Sequence, residues 1–351
     1  MPAHAAEKVS PVRRFRDLLA TARSYWPQRR RPVGRVAINL APRRSPYGGG
    51  NQFIQQVSRY LTFHGYEVVY HLDSQVDCVL IIDGRDALTT FGLPEIQAFK
   101  RRYPSVVCIH RVNECDQRKQ SDFMDNLLAR VNSAADYTVF ISRWLRDYHA
   151  SRWFDPAKPH AVIHNGADPS VFHPLGNRPP SSEEAFRLVT HHWSDNPIKG
   201  FTVYEEIDRL IEKGELPNVE LWVIGRWPAG MQWRSARLIG PVTGHRLADL
   251  LRQCHAYVTA SLWEPGGMHF IEGAQCGLPV LYHMDGGGIV EVAEGFGIGF
   301  RDDVLGAIEA MRARYPELRH QTLSRGPSGD RMCMAYRQLI QALLLADGNM
   351  A

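Results

Sequence analysis

Short apolar runs bounded by glycine, proline and polar turns alternate along this chain with longer stretches whose apolar positions fall three and four residues apart. The short runs predict buried strands at 35–40, 64–70, 77–83, 105–109, 137–142, 186–190, 221–225 and 256–261. The intervening stretches predict helices. Phe53, Ile54, Val57, Tyr60 and Leu61 share one face, Leu247, Leu250, Leu251 and Cys254 another, and further helices are expected at 143–150, with Ser142 as cap, at 302–314 and at 331–345. Strand and helix in alternation imply an α/β fold. The most ordered series is 256–300, which reads as strand, loop, helix, strand, glycine-rich turn, helix. Glu264 falls in the loop and Glu272 about one turn into the helix, so both carboxylates can face the crevice at the carboxyl end of a strand. Around Gly266, Gly267 and Met268 the free N–H groups of the first helical turn and uncovered backbone suit an anion such as a diphosphate. Glu272 can at the same time accept hydrogen bonds from two ribose hydroxyls.

At 351 residues, 44% hydrophobic and 22% charged, the chain has room for two ordinary domains. No run approaches the roughly eighteen apolar residues of a spanning helix, and the N-terminus lacks the apolar core of a secretory signal, so a cytoplasmic body is expected. Cys78, Cys108, Cys115, Cys254, Cys276 and Cys333 form no C-x-x-C pair, which suits a reduced compartment and argues against structural zinc. The net charge is +4, but residues 1–35 carry nine Lys or Arg against two acids, +7, which leaves −3 for the rest. Val12, Phe15, Leu18, Leu19, Ala22 and Trp26 recur at helical spacing among these arginines. Residues 8–31 can therefore lie on an anionic membrane surface, or be a leader with a solvated basic face. The basic surface does not continue into the body, which excludes nucleic acid as a partner. No metal is expected: no Asp-x-Asp sits at a strand end, and the adjacent His191 and His192 cannot share a helix face.

A second glycine-rich turn, Gly48-Gly49-Gly50, lies between the first strand and the first helix. It fails as a dinucleotide fingerprint because Phe53 stands where a third glycine is required, which disfavours an NAD-dependent oxidoreductase. The Glu264/Glu272 pair with seven residues between, followed by Gly277-Leu278-Pro279-Val280 and Gly287-Gly288-Ile289-Val290-Glu291, resembles the signature of the retaining glycosyltransferases of family 4. Ile163-His164-Asn165-Gly166-Ala167-Asp168 with Phe172-His173-Pro174, and the Lys199-Gly200 loop, are similar to further motifs of that family. The resemblance covers roughly residues 35–345.

It implies the GT-B fold, two facing Rossmann-like domains with a deep interdomain cleft. The basic leader would occupy 1–34, an acceptor-side domain 35–175, a donor-binding domain 185–325, and a helix crossing back to the first domain 330–348. The activity implied is transfer of a sugar from a nucleoside-diphosphate sugar to a hydroxyl of a glycan or lipid-linked acceptor, with retention and without a cofactor or metal. Polysaccharide or glycolipid assembly at the inner membrane face would be its setting. On this resemblance Glu264 stabilises the anomeric centre, His110 borders the transferred sugar, Lys199 pairs with the phosphates and Glu272 holds the ribose. Gly49 and Gly50 face the diphosphate, with Gly266, Gly267 and Met268 opposite, and the loop containing Val242 meets the base. The family's usual arginine before the lysine is replaced by Trp193, and Arg226 is the candidate substitute. A nucleotide-sugar binding protein without turnover and a GT-B nucleotide-sugar epimerase are the alternatives.

Overall fold

The computed structural model describes residues 32–43 and 49–346. The basic stretch at 8–31, the Ser45-Pro46-Tyr47-Gly48 part of the glycine-rich turn and the last five residues lie outside the described residues.

Two parallel sheets of six strands organise the described chain. In the first, β1 (Arg35–Ile38), β2 (Glu67–Val69), β3 (Cys78–Ile81), β4 (Val107–Val112), β5 (Tyr137–Phe140) and β6 (His160–Val162) run in the order β2-β1-β3-β4-β5-β6. In the second, β7 (Phe186–His192), β8 (Val219–Gly225), β9 (Arg237–Ile239), β10 (Ala256–Thr259), β11 (Val280–His283) and β12 (Gly297–Phe300) run in the order β12-β11-β10-β7-β8-β9. Strand order reverses between β1 and β3 in the first sheet and between β7 and β10 in the second. Outside the carboxyl ends of the strands at such reversals, an open α/β sheet leaves a crevice between diverging connections.

Helices cover both faces of each sheet, so the central strands are buried; all four residues of β3 and all six of β4 are buried. The last helix, Gly329–Ala346, leaves the second sheet and packs Met332, Tyr336, Ile340 and Leu344 into the same cluster as Val36, Ile38 and Phe53 of the first. Tyr336 meets Phe53 edge-on at 4.9 Å between ring centroids. No helix among the described residues is long and apolar enough to cross a membrane. All six cysteines are buried as free thiols, and burial pushes Cys108 and Cys115 up to about 12, which keeps them protonated and unreactive.

One strand departs from its predicted extent in a way that matters for the site. β4 does not stop at residue 109 but runs on through His110 and Arg111 to Val112. The extension holds because Arg111 is itself buried, its guanidinium stacked over the Phe53 ring at 4.1 Å. A polar residue read as loop is thus part of the core.

Candidate functional site

A cavity of about 480 Å³ lies where the carboxyl ends of the two sheets approach each other. Lys199 reaches it by a tight connection. After β7 the chain makes a short 3-10 turn, Pro197–Lys199, capped by the Asn196 side chain, which accepts from Ile198 N–H at 3.0 Å. Gly200 then takes φ +78°, and a Cβ there would stand 2.2 Å from the Ala260 carbonyl oxygen, so only glycine lets the turn close against β10. The turn aims Lys199 Nζ at Glu264 Oε2, 3.1 Å away. Arg118, from the short helix Asp116–Lys119 of the first half, donates to the same oxygen at 2.7 Å.

Two cations on one carboxylate leave this wall of the cavity with an excess positive charge. Burial works to raise the Glu264 pKa, but Lys199 and Arg118 together outweigh it and hold the carboxyl below its ordinary range. For Lys199 burial dominates and lowers the pKa, with Glu264 opposing. Beside this cluster begins the helix Met268–Gln275, with Gly267 in the cap position and no side chain closing the first turn, so its N–H groups remain available to an anion.

Glu272, one turn into that helix, is 2% exposed. Its Oε1 accepts from Gln52 Nε2 at 2.9 Å and its Oε2 lies 2.8 Å from His191 Nε2. Gln52 belongs to the helix Gly49–Phe63 of the first half, so Glu272 also ties the two halves together. Other ties repeat the theme. Asn165 donates to the Gly266 carbonyl at 2.8 Å and accepts from Arg111 Nη2 at 2.8 Å. Glu291 accepts from the N–H groups of Arg143 (2.8 Å) and Trp144 (3.0 Å), at the start of the helix Arg143–Ala150, and sits 2.5 Å from His164 Nε2. The glycines of the Pro265-Gly266-Gly267 loop answer to this closeness: a Cβ on Gly266 would lie 3.0 Å from Ile141 and 3.2 Å from Asn165, and one on Gly267 would lie 2.8 Å from Glu264 Cγ. A Cβ on Gly49 would meet Met268 at 2.7 Å across the cavity, whereas Gly50 has open space.

Residues 209–301 match the family model described as glycosyl transferases group 1, a span that contains Glu264 and Glu272 and begins after Lys199. Among curated proteins none matches the sequence. Solved structures do. Sucrose-phosphate synthase from Thermosynechococcus elongatus superposes with a TM-score of 0.60 at 17% identity, over 89% of this chain and 100% of that one. Anabaena HepE, in complex with UDP-glucose, gives 0.63 at 12% identity over 88% and 100%. WaaG, a glycosyltransferase involved in lipopolysaccharide biosynthesis, gives 0.56 at 12% over 90% and 99%.

The fold is GT-B. Within this GT-B cleft the structure gathers Glu264, Lys199, Glu272, Gly49, Gly50, Gly266, Gly267 and Met268 around one cavity. Three other sequence candidates stand apart from it. His110 is fully buried in mid-strand, 3.1 Å from Asn132 Nδ2, and does not line this cavity; burial, helped by His149, lowers its pKa to about 3, so it is neutral. The extension of β4 moves the strand end past it, and Arg111, Asn113 and Glu114 reach the cavity instead. Arg226 is exposed just beyond β8, held by its backbone N–H to the His192 carbonyl at 2.9 Å, and does not line the cavity. Val242 packs half-buried on the core beneath its loop, and its neighbours Thr243 and Gly244 line the cavity in its place.

Sequence reasoning assigned no site role to Gln52, Asn165 and His191. The dense polar run at 111–119, which contains Arg118, reads from the sequence as a lining of the acceptor site; the aim of Arg118 at Glu264 depends on a contact across 146 positions that no local pattern encodes. His192 and His269 also border the cavity, and burial drives both well below the ordinary histidine range, so they are neutral. Among the described residues no group of three or more His, Cys, Asp or Glu is placed to hold a metal ion.

Proposed function

We propose that this chain is a retaining glycosyltransferase of family 4 that moves a sugar from a nucleoside-diphosphate sugar to an acceptor hydroxyl without a divalent ion. The observation that carries the reading is the convergence of Lys199 and Arg118 on Glu264 beside the uncapped start of the helix Met268–Gln275. As the bond from the anomeric carbon to the diphosphate oxygen breaks, its electron pair stays with the diphosphate, and the excess positive charge and the helix N–H groups stabilise it. The acceptor oxygen forms the new bond to the anomeric carbon, and its proton passes to the departing diphosphate. Glu264 faces the positive charge that develops on the sugar, and Glu272 holds the ribose hydroxyls, exchanging its bond from Gln52 for them. A glycan or lipid-linked acceptor, in polysaccharide or glycolipid assembly at the inner membrane face, completes the proposal.

The experiment is calorimetric titration of the full chain with uridine, guanosine, adenosine and thymidine diphosphates, with and without magnesium, repeated on Lys199→Ala. Uridine diphosphate comes first because HepE is in complex with UDP-glucose. Selective binding of one nucleotide that needs no metal and weakens at least tenfold in the variant is expected; absence of binding to all four defeats the proposal. Retention of anionic vesicles by the full chain at low salt, lost on deletion of 1–31, tests the membrane part separately.

A further inference from the structure

Glu272 is held from both walls of the cleft, and the two holds differ in kind. A carboxylate only accepts, so both bonds run toward it: Gln52 Nε2 donates to Oε1 at 2.9 Å and His191 Nε2 to Oε2 at 2.8 Å. His191 lies near the end of β7 and is buried. With its proton on Nε2, its Nδ1 is an acceptor, and Tyr257 Oη stands 3.2 Å from that nitrogen while accepting from the His191 backbone N–H at 3.0 Å. Tyr257 is fully buried in β10, and the helix Met268–Gln275 comes down on its ring: a Cβ on Gly273, the neighbour of Glu272, would lie 2.3 Å from Tyr257 Cδ2. Glu272 Oε2, His191 and Tyr257 are thus one packed unit inside the second half.

Gln52 comes from the opposite wall. It stands at the start of the helix Gly49–Phe63, 220 positions from Glu272, and is only half-buried. Both residues line the donor cavity, so their bond crosses the space a nucleotide would fill. A ribose hydroxyl is the same kind of neutral donor as the Gln52 amide and can replace it on Oε1 without leaving the oxygen unsatisfied. No such exchange is open to Oε2, whose donor is fixed in the core. Holding one oxygen before the ligand arrives removes freedom that the side chain would otherwise lose on binding.

Resting on the glycosyltransferase reading, we propose that His191 is a positioning residue for the donor: it fixes Glu272 through Oε2 so that Oε1 faces the ribose hydroxyls, and Gln52 stands in for those hydroxyls until the nucleotide displaces it. His191 therefore favours ribose binding, and Gln52 competes with it.

The test is calorimetric titration of the full chain and three variants with uridine diphosphate and 2′,3′-dideoxyuridine diphosphate, or with the same pair for whichever of the four nucleosides binds. The wild type is expected to take the ribose form at least tenfold more tightly than the dideoxy form. His191→Asn sets its amide where Nδ1 stands, which keeps a partner for Tyr257 and leaves Oε2 without a donor. It should weaken the ribose form at least tenfold and change the dideoxy form by less than about twofold. His191→Gln reaches the place of Nε2 and should hold both forms within about threefold of wild type. Gln52→Ala should tighten the ribose form about threefold or more and leave the dideoxy form within about twofold. No loss in His191→Asn, an equal loss of both forms, or a His191→Gln protein as weak as His191→Asn overturns the inference. So does equal affinity of the wild type for the two forms, or a ribose affinity that Gln52→Ala lowers or leaves unchanged. Should His191→Asn not fold, the Gln52→Ala result decides. Failure of every nucleotide to bind the wild type is read in its own titration and counts against the glycosyltransferase reading instead.

Discussion

Replacing Glu291 by alanine should destabilise the protein by roughly 2–3 kcal/mol. Two of the lost bonds come from the N–H groups of Arg143 and Trp144, which Ser142 does not reach because its Oγ accepts from Leu145 instead. An acceptor lost from a helix start costs about 1–2 kcal/mol. The third partner, His164, is 36% exposed on its side chain, so solvent screens that bond and it adds about 1 kcal/mol. Urea unfolding followed by tryptophan fluorescence at neutral pH measures the difference directly, and Glu291→Gln, which keeps one acceptor oxygen, should fall between. The pH dependence has a definite sign. Burial works to raise the Glu291 pKa, but His164 and the two backbone N–H groups outweigh it, so the folded value lies below the ordinary 4.5. Its stabilisation is therefore complete above 4.5 and is lost as the pH falls through the folded value. The gap between wild type and Glu291→Gln should narrow in that acid range. A Glu291→Ala protein within about 0.5 kcal/mol of wild type at neutral pH refutes the argument.

On the proposed mechanism, in which the carboxylate acts on charge that develops only in the transition state, Glu264→Ala should reduce kcat by on the order of 100-fold with a smaller change in nucleotide affinity; steady-state kinetics against calorimetry separates the two. On the same proposal, in which Glu272 is the charged acceptor of the ribose hydroxyls, Glu272→Ala should weaken nucleotide binding by about tenfold or more; unchanged affinity would count against that role. Gly200→Ala should destabilise by about 2 kcal/mol or more, because the added Cβ meets the Ala260 carbonyl at 2.2 Å with φ at +78°; a denaturation curve matching wild type would show that the turn relaxes. His110→Gln should cost about 1–3 kcal/mol in stability as a buried polar replacement, while KM for the donor stays the same; a raised KM would return His110 to the site.

The candidate site was legible where chemistry is local. Glycine directly after the lysine of a turn, two glutamates bracketing a helix start and a glycine-proline approach to a strand each impose their geometry within a few residues, and Lys199, Glu264 and Glu272 all reach the cleft. It was not legible where a residue's surroundings come from far along the chain. Arg226 seemed a fit substitute by proximity to β8, but its side chain is exposed outside the cleft, and the second cation is Arg118 from the other half. His110 was placed at a strand end by the apolar run alone, and the stacking of Arg111 on Phe53 carried the strand beyond it.

The sequence by itself determined the alternation of strand and helix, and with it the α/β class. It also marked the glycine turns and the ends of most strands, because hydrophobic period and turn chemistry are properties of neighbouring residues. Only the tertiary structure decided which groups from the first half meet the second. The links from Gln52 to Glu272, Arg118 to Glu264, Asn165 to Gly266 and Glu291 to the helix Arg143–Ala150 all join residues more than a hundred positions apart. Such contacts follow from how two sheets and their connecting helices pack, and a local pattern has no means of recording them.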